Sequence, residues 1–530
     1  VPVLTIADIA LGGVNSDISP WELDAKFLTS GQNFRVLNDK IASFGGYSTW
    51  DTDPVACNPG YMMYVPGETD FWLFAGRTAV HAFDGTTFHD ISNSAGYGSI
   101  GEYQELDWTG CRLGRIPIIN NPQAYPEYWS PQESDTDMVY LPFDDTDSWA
   151  VKGYTCQVMR SHKNFLIAMN LVEDSDEFPD TLRWSHPADS NSIPVTWDET
   201  DKTMLAGRHS LGGDSGGIID GMSLRDAFAV YSESAINIMD YTGDAFVFRI
   251  REMSSTVGLL AKRCISEVKG THFFLADGDI VANDGNSIKS LIHKRLRRRL
   301  TSNMNAAVYT RSYSVVNNAM KEVWFCVPED GAIYPNIAYI YNWRDDTWAI
   351  RDLPNVSFAA YGARGAPVSS WGGPGGEVPT PASEGIQGTW DEQVGVWGSQ
   401  SRTPLDDFIM GVQQCGTVVQ LDGVVENEGS TESVIERTDF PLEGHHQVTT
   451  ITRLYPHMEG TKPVEIQLGS QEYAGGPILW KPSVTFTPGQ DRKVDIRSTG
   501  ELHAWRISSS EPGNWTFSGM DIEYVTDGTR

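Results

Sequence analysis

Short apolar runs closed by turn residues recur from residue 60 to about 360. Phe71-Trp72-Leu73-Phe74-Ala75-Gly76 leads to Val80-His81-Ala82-Phe83, and Asp84-Gly85 turns the chain into Thr87-Phe88. Asn164–Met169, Ala227–Tyr231 with Ser234–Met239, and His272–Ala276 before Asp277-Gly278 repeat the pattern. Glu322–Val327 is matched to Ala338–Tyr341 as its hairpin partner. Continuous apolar runs of this length between Gly, Asn and Asp turns predict buried strands joined by hairpins. The chain reads as all-β.

A smaller element recurs after turns, a hydroxyl residue before a large aromatic: Thr87-Phe88, Ser148-Trp149, Thr196-Trp197, Thr347-Trp348 and Thr389-Trp390. Propeller blades bury outer-strand aromatics in this manner, because each four-stranded sheet covers a face of the next. The irregular spacing leaves a sandwich equally open on this pattern alone. Residues 362–404 are rich in Gly, Ser and Pro and read as a long excursion from the blades. From about 441 the punctuation tightens: Val448–Leu454, Val464–Leu468, Ile478–Trp480, Val484–Phe486, Lys493–Arg497, Ala504–Ile507 and Asp521–Val525 predict a compact β-sandwich. The expected organisation is a β-propeller over residues 1–440 and a C-terminal sandwich over 441–530.

Charge alters the functional classes in play. The chain carries 39 Lys and Arg against 70 Asp and Glu, a formal net charge of −31. Proteins that grip nucleic acid by neutralising phosphate are basic. An acidic chain is either kept soluble by its charge or suited to surround DNA that must slide. Within this background, Lys294, Arg295, Arg297, Arg298 and Arg299 form a dense basic run, expected as a short helix or surface turn. Three roles are open to it: contact with phosphate in a channel, docking on an acidic face of a neighbouring subunit, or a solvated face.

The six cysteines are scattered without a C-x-x-C pair, which excludes metal-ligand spacing and predicts buried free thiols in a reducing compartment. The first residues lack the charged start of a signal peptide, and no apolar run approaches the roughly 18 residues that span a bilayer. A soluble protein is expected.

The sharpest enzyme-like string is Gly213-Asp214-Ser215-Gly216-Gly217, the nucleophile signature of chymotrypsin-like proteases. Its chemistry needs a histidine base and an aspartate, and His81, His89, His162, His186 and His209 lie outside that family's sequence setting. A glycine-rich loop is the expectation. Asn342-Trp343-Arg344-Asp345-Asp346-Thr347-Trp348 is akin to sialidase Asp-box turns, which stabilise blades without catalysing. Asp277-Gly278-Asp279 and Asn283-Asp284-Gly285-Asn286 lack the closing ligands of a calcium loop and read as hairpins. No cofactor, metal or catalytic residue is expected.

The N-terminal segment carries the most specific information. Gly12-Gly13-Val14-Asn15-Ser16-Asp17-Ile18-Ser19-Pro20 is followed by Glu22-Leu23, by Gln32-Asn33-Phe34-Arg35-Val36, and by Phe44-Gly45-Gly46-Tyr47. That order resembles the tail nozzle, or tail tubular protein B, family of short-tailed bacteriophages. Leu182-Arg183-Trp184-Ser185, Ser234–Tyr241, Leu275–Ile280, Tyr341-Asn342-Trp343 and Leu454–Gly460 are similar to further parts of that family. The resemblance implies a non-enzymatic virion tail protein, a homo-hexamer through which the genome is retained and ejected. Its implied partners are a tail adaptor protein, tail fibres or spikes, and double-stranded DNA that passes without tight binding. Assembly would occur in the host cytoplasm, with no membrane insertion of its own. The rival expectation from sequence is a carbohydrate-binding or carbohydrate-degrading propeller, signalled by a carboxylate pair beside exposed tryptophans. A protease is the third.

Overall fold

The computed structural model describes residues 2–9, 11–50, 55, 57–67, 70–85, 87–131, 137–243, 247–363, 407–422, 432–443, 447–510 and 515–529. The Gly-rich stretch expected as an excursion falls, beyond Ala363, outside the described residues. So does Thr389-Trp390.

Among the described residues, seven four-stranded antiparallel units succeed one another. Their first strands are Pro59–Val65, Thr109–Leu113, Thr155–His162, Ile218–Leu224, Ile265–Val268, Tyr313–Asn317 and Val356–Ala363. From Thr109–Leu113 onward each first strand packs beside the next, Val356–Ala363 returns to Pro59–Val65, and Tyr61 of Pro59–Val65 lies against Gly110 of the second blade. The units are therefore blades of a closed ring, and the chain is an all-β propeller. The seventh blade takes its fourth strand from the other end of the chain: Ser48–Thr49 pairs with Val418–Gln420. Closure of this kind leaves no seam between the last blade and the first.

Two further sheets form the second body. One contains Gln447–Gly460 and Trp515–Thr529; the other contains Val464–Gln471, Leu502–Ser509 and Ser433–Phe440. They face each other as a sandwich: Trp505 and Phe517 of opposite sheets lie 6.0 Å apart between ring centroids, and His503 Nε2 is 2.8 Å from Thr449 Oγ1. The expected boundary at 440/441 needs redrawing. Ser433–Phe440 already belongs to the sandwich, and so do Val3–Ile6, Ser30–Gln32, Phe34–Leu37 and Lys40–Ser43. Strand pairing between distant segments leaves no local signal, which is why the sequence placed these residues in the propeller. Lys493–Arg497, expected as a strand, contributes a single bridge from Val494 to Leu454.

Gly13–Val14 and Phe27–Leu28 also leave the N-terminus to extend the sixth blade in parallel. Here Gly13 has φ +73°, and a Cβ would lie 2.4 Å from the Trp348 carbonyl oxygen. Only glycine fits.

The hydroxyl–aromatic pairs divide by location. Thr347-Trp348 and Phe88 sit on the outer strands of blades, as expected. Ser148-Trp149 instead starts a short helix, with Ser148 Oγ accepting from the Val151 N–H, and Trp197 lies in a loop. Those two tryptophans pack edge to face, 5.0 Å between centroids, in the core shared by the second and third blades. The pair therefore marks burial of an aromatic after a turn, whether or not a strand follows.

Candidate functional site: the axial cleft and the basic helix

The propeller axis is filled by charge. Arg160, on the third blade's first strand, donates from Nε and Nη2 to Asp220 on the fourth, at 2.8 and 2.7 Å, and from Nη1 to the Gly110 carbonyl on the second. Asp220 also accepts from the Arg263 and Gly221 N–H groups. The Arg263 guanidinium bonds the Gly60 carbonyl of the first blade and lies 5.0 Å from the Phe358 ring of the seventh. One cluster thus ties together the inner strands of five blades and the connection that leads into the fifth blade. Burial pushes the Asp220 carboxyl up, but the Arg160 charge and these hydrogen bonds outweigh it and hold it below its ordinary range. For Arg263, which has no comparable partner, burial wins and lowers it.

Above this plug the loops part to form a cleft of about 740 Å³. It is lined by the blade 4–5 connection through Leu260 and Lys262 and by Asp107, Glu233, Asp277 and Tyr309. Lys262 Nζ reaches Gln157 at 2.8 Å and Asp107 at 3.4 Å, and burial lowers its affinity for the proton. Glu233 and Asp277 are exposed and ion-paired with nothing among the described residues. Among the described residues no tryptophan lines the cleft. The carboxylates are not joined by the exposed Trp residues that a carbohydrate site was expected to show.

The basic run lies at the cleft's edge, and Thr301 borders both features. Arg297–Asn303 is a helix, preceded by turns. Asp17 of the N-terminal segment accepts from the Arg297 and Arg298 N–H groups at 2.9 and 3.0 Å, capping it. The five cations have different surroundings. Arg295 is half-buried: it donates to the Gly12 carbonyl, pairs with Asp346 at 3.4 Å and lies 4.9 Å from the Phe27 ring. Arg299 is half-buried beside Glu329 and Tyr339. Lys294, Arg297 and Arg298 remain exposed, with His293 beside them. The run is thus a folded element with three exposed cations, of which Arg297 donates from Nε to the Gly278 carbonyl at 3.0 Å.

The remaining motifs take structural roles. Gly212, Gly213 and Gly216 all have positive φ, and the Ser215 carbonyl accepts from the Ser234 N–H and hydroxyl at 3.1 Å. No histidine is bonded to the Ser215 hydroxyl among the described residues, so the protease geometry is missing there. Asn342 Oδ1 accepts from the Arg344 and Asp345 N–H groups, shaping the hairpin before Trp348. Asp284 binds the N–H groups of Asn286 and Ser287 in a tight turn. The cysteines are all free thiols; Cys415 is exposed, against expectation, while burial pushes the Cys57 thiol up to about 12.

What sequence reasoning missed is the function of the N-terminal motif. Asn33 donates to Asp352 and to the Glu432 carbonyl and accepts from the Asp352 N–H. Buried Arg35 pairs with Asp422 at 3.0 Å and Glu322 at 3.4 Å. The Phe44 ring lies between two guanidiniums, Arg35 at 4.0 Å and Arg351 at 4.6 Å, and Arg351 donates to the Gly46 carbonyl. These residues clamp the sandwich onto the last two blades.

No family model matches the chain, and no curated protein matches it. Among solved structures it is similar to the extracellular domain of a hybrid two component system from B. thetaiotaomicron, at 10% identity, covering 83% of this chain and 47% of that one with a TM-score of 0.38. PorZ, a surface component of the type-IX secretion system of Porphyromonas gingivalis, shares 10% identity over 84% of this chain and 46% of that one, TM-score 0.33. An exo-β-1,3-galactanase from Phanerochaete chrysosporium shares 10% over 91% and 100%, TM-score 0.25. The chain spans about half the length of the first two. Likeness at this level carries no functional assignment.

Proposed function

We propose that this chain is a structural subunit of a short bacteriophage tail, a nozzle protein that forms a homo-hexameric ring around the exit path of the genome. The observation that carries the reading is the N-terminal segment. The residues through which it resembles the nozzle family, Gly13, Asp17, Asn33, Arg35, Phe44 and Gly46, each hold two parts of the molecule together. A motif of this kind belongs to a rigid building block, and none of its members is presented for chemistry. A propeller closed without a seam, fixed to a sandwich, offers broad flanks for packing about an axis without open strands.

In this reading the subunit assembles on a tail adaptor, carries fibres or spikes, and has no reaction of its own. The exposed Lys294, Arg297 and Arg298 contact an acidic neighbour, and the net charge of −31 lets duplex DNA slide past. Electron microscopy of the purified protein with its adaptor tests it. Sixfold rings are expected; rings of another symmetry, or a lone dimer with hydrolase activity, overturn it.

A second reading, a propeller acting on host-surface carbohydrate, draws on Asp107, Glu233 and Asp277 in the axial cleft. Hydrolysis or retention of surface polysaccharide by the isolated protein would favour it.

A further inference from the structure

The axial cleft has a composition of its own. Its apolar lining is mostly aliphatic, with Ile219, Leu260 and Met304 partly exposed along it, and among the described residues Tyr309 is the only aromatic that lines it. Sugar rings are held by aromatic faces, and a single tyrosine offers little platform. It is also lined by Glu233, from a hairpin of the fourth blade, and Asp277, from a hairpin of the fifth. Both carboxylates are exposed and without an ion-pair partner among the described residues. The lining cation that could neutralise them, Lys262, is already held by Asp107 and Gln157. Arg263 turns its guanidinium to the Gly60 carbonyl and the Phe358 ring.

We infer that this cleft is a docking site for an extended basic–aliphatic peptide segment of a partner protein. Successive side chains of an extended segment point to opposite sides. Aliphatic side chains would lie against Leu260, Ile219 and Met304, while the alternate lysines or arginines reach Glu233 and Asp277. Charge complementarity selects the occupant: an acidic segment meets two unpaired carboxylates, and a neutral one leaves them unanswered. The exposed Lys294, Arg297 and Arg298 at the neighbouring edge add a directional cue, because a basic segment is repelled there and runs away from the helix, toward the axis.

The test is fluorescence anisotropy on the full chain with a labelled synthetic peptide that alternates leucine with arginine and lysine. A matched peptide with glutamate in the basic positions serves as the comparison. The basic peptide binds and the acidic one does not. The double variant Glu233→Gln/Asp277→Asn weakens binding by about three- to tenfold at low salt, as expected for partly exposed charge pairs. Asp176→Asn/Glu177→Gln, on a distant exposed hairpin of the third blade, changes it less than about twofold by the same reasoning. That comparison separates docking from general attraction to an acidic protein. Leu260→Arg, with its melting curve checked, abolishes binding by closing the aliphatic wall. Equal binding of the acidic peptide, an unaffected double variant, equal loss in the third-blade variant, or displacement of the peptide by a neutral oligosaccharide would each overturn the assignment. The inference stands apart from the tail reading: sixfold rings without peptide binding would sink it and leave the nozzle intact.

Discussion

Arg160 and Asp220 form a two-point ion pair between the inner strands of neighbouring blades, with both N···O distances under 3 Å and the Asp220 side chain fully buried. Removing one member of such a pair strands the other charge. Asp220→Ala is expected to destabilise the protein by about 3–5 kcal/mol, because the Arg160 charge is then left unpaired and the Arg263 N–H loses its acceptor. Urea unfolding followed by tryptophan fluorescence measures it. Since the Asp220 carboxyl is held below its ordinary range, its contribution is present above the unfolded-state value near 3.8 and is lost as pH falls through the lower folded value.

Three buried histidines give a second, higher acid limit. His162, His272 and His503 are each pushed by burial from 6.5 down to about 4. The unfolded chain therefore takes up protons that the native state refuses. Their stabilising contribution is intact above about pH 6.5 and declines toward pH 4, by up to about 1.4 kcal/mol per pH unit for each histidine. Urea midpoints at pH 7, 6 and 5 should fall in that order. A constant midpoint across this range would contradict the burial of these rings.

Reversal of Lys294, Arg297 and Arg298 to glutamate should block ring assembly while the isolated subunit still folds, its melting temperature lowered only slightly through loss of the exposed Arg297 bond to the Gly278 carbonyl. Wild-type assembly should weaken as salt rises, because attraction between exposed charges is screened within about 10 Å at 0.1 M. Arg295→Glu should behave differently and lower the melting temperature, through loss of its bonds to Gly12 and Asp346. Normal assembly of the triple variant at low salt would reduce the run to a solvated face.

Gly13→Ala probes the N-terminal clamp. A left-handed backbone costs a non-glycine residue about 1–3 kcal/mol, and the Cβ also meets the Trp348 carbonyl at 2.4 Å. Thermal unfolding should show a loss at or above that range. A variant as stable as the wild type would mean that this segment is not held against the sixth blade.

Purified protein should show no measurable affinity for duplex DNA at physiological salt. Micromolar binding with a steep salt dependence would make the chain a DNA clamp.

Much of the architecture was legible where structure is local. Phe71–Gly76 and Val80–Phe83 pair as read, as do Glu322–Val327 and Ile337–Asn342, because a hairpin joins neighbours in sequence. The turns at Asp277-Gly278 and Asp284-Gly285 were equally readable from their glycines at positive φ. Long-range pairing was not. Nothing near Ser48 signals that it will lie beside Gln420, and nothing near Lys40 signals Glu459. The basic helix was found as a charge run, but its division into engaged and exposed cations depends on Gly12, Phe27 and Asp346, which only the fold brings near. The cleft left no motif at all, since its walls come from separate blades and from the connections between them.

The pairing of Val3 with Glu523 has a consequence in time as well as in space. During synthesis at about 5–20 residues per second, the first strand waits roughly half a minute to two minutes for its partner to emerge from the ribosome. For much of that interval the edges that will receive Val3–Ile6 and Ser48–Thr49 do not yet exist, and Lys40–Ser43 has only its hairpin partner Phe34–Leu37. The seventh blade cannot close before Val418–Gln420 is made, and the sandwich waits longer still, for Trp515–Thr529; a chain cut short before Val418 yields a ring that never shuts.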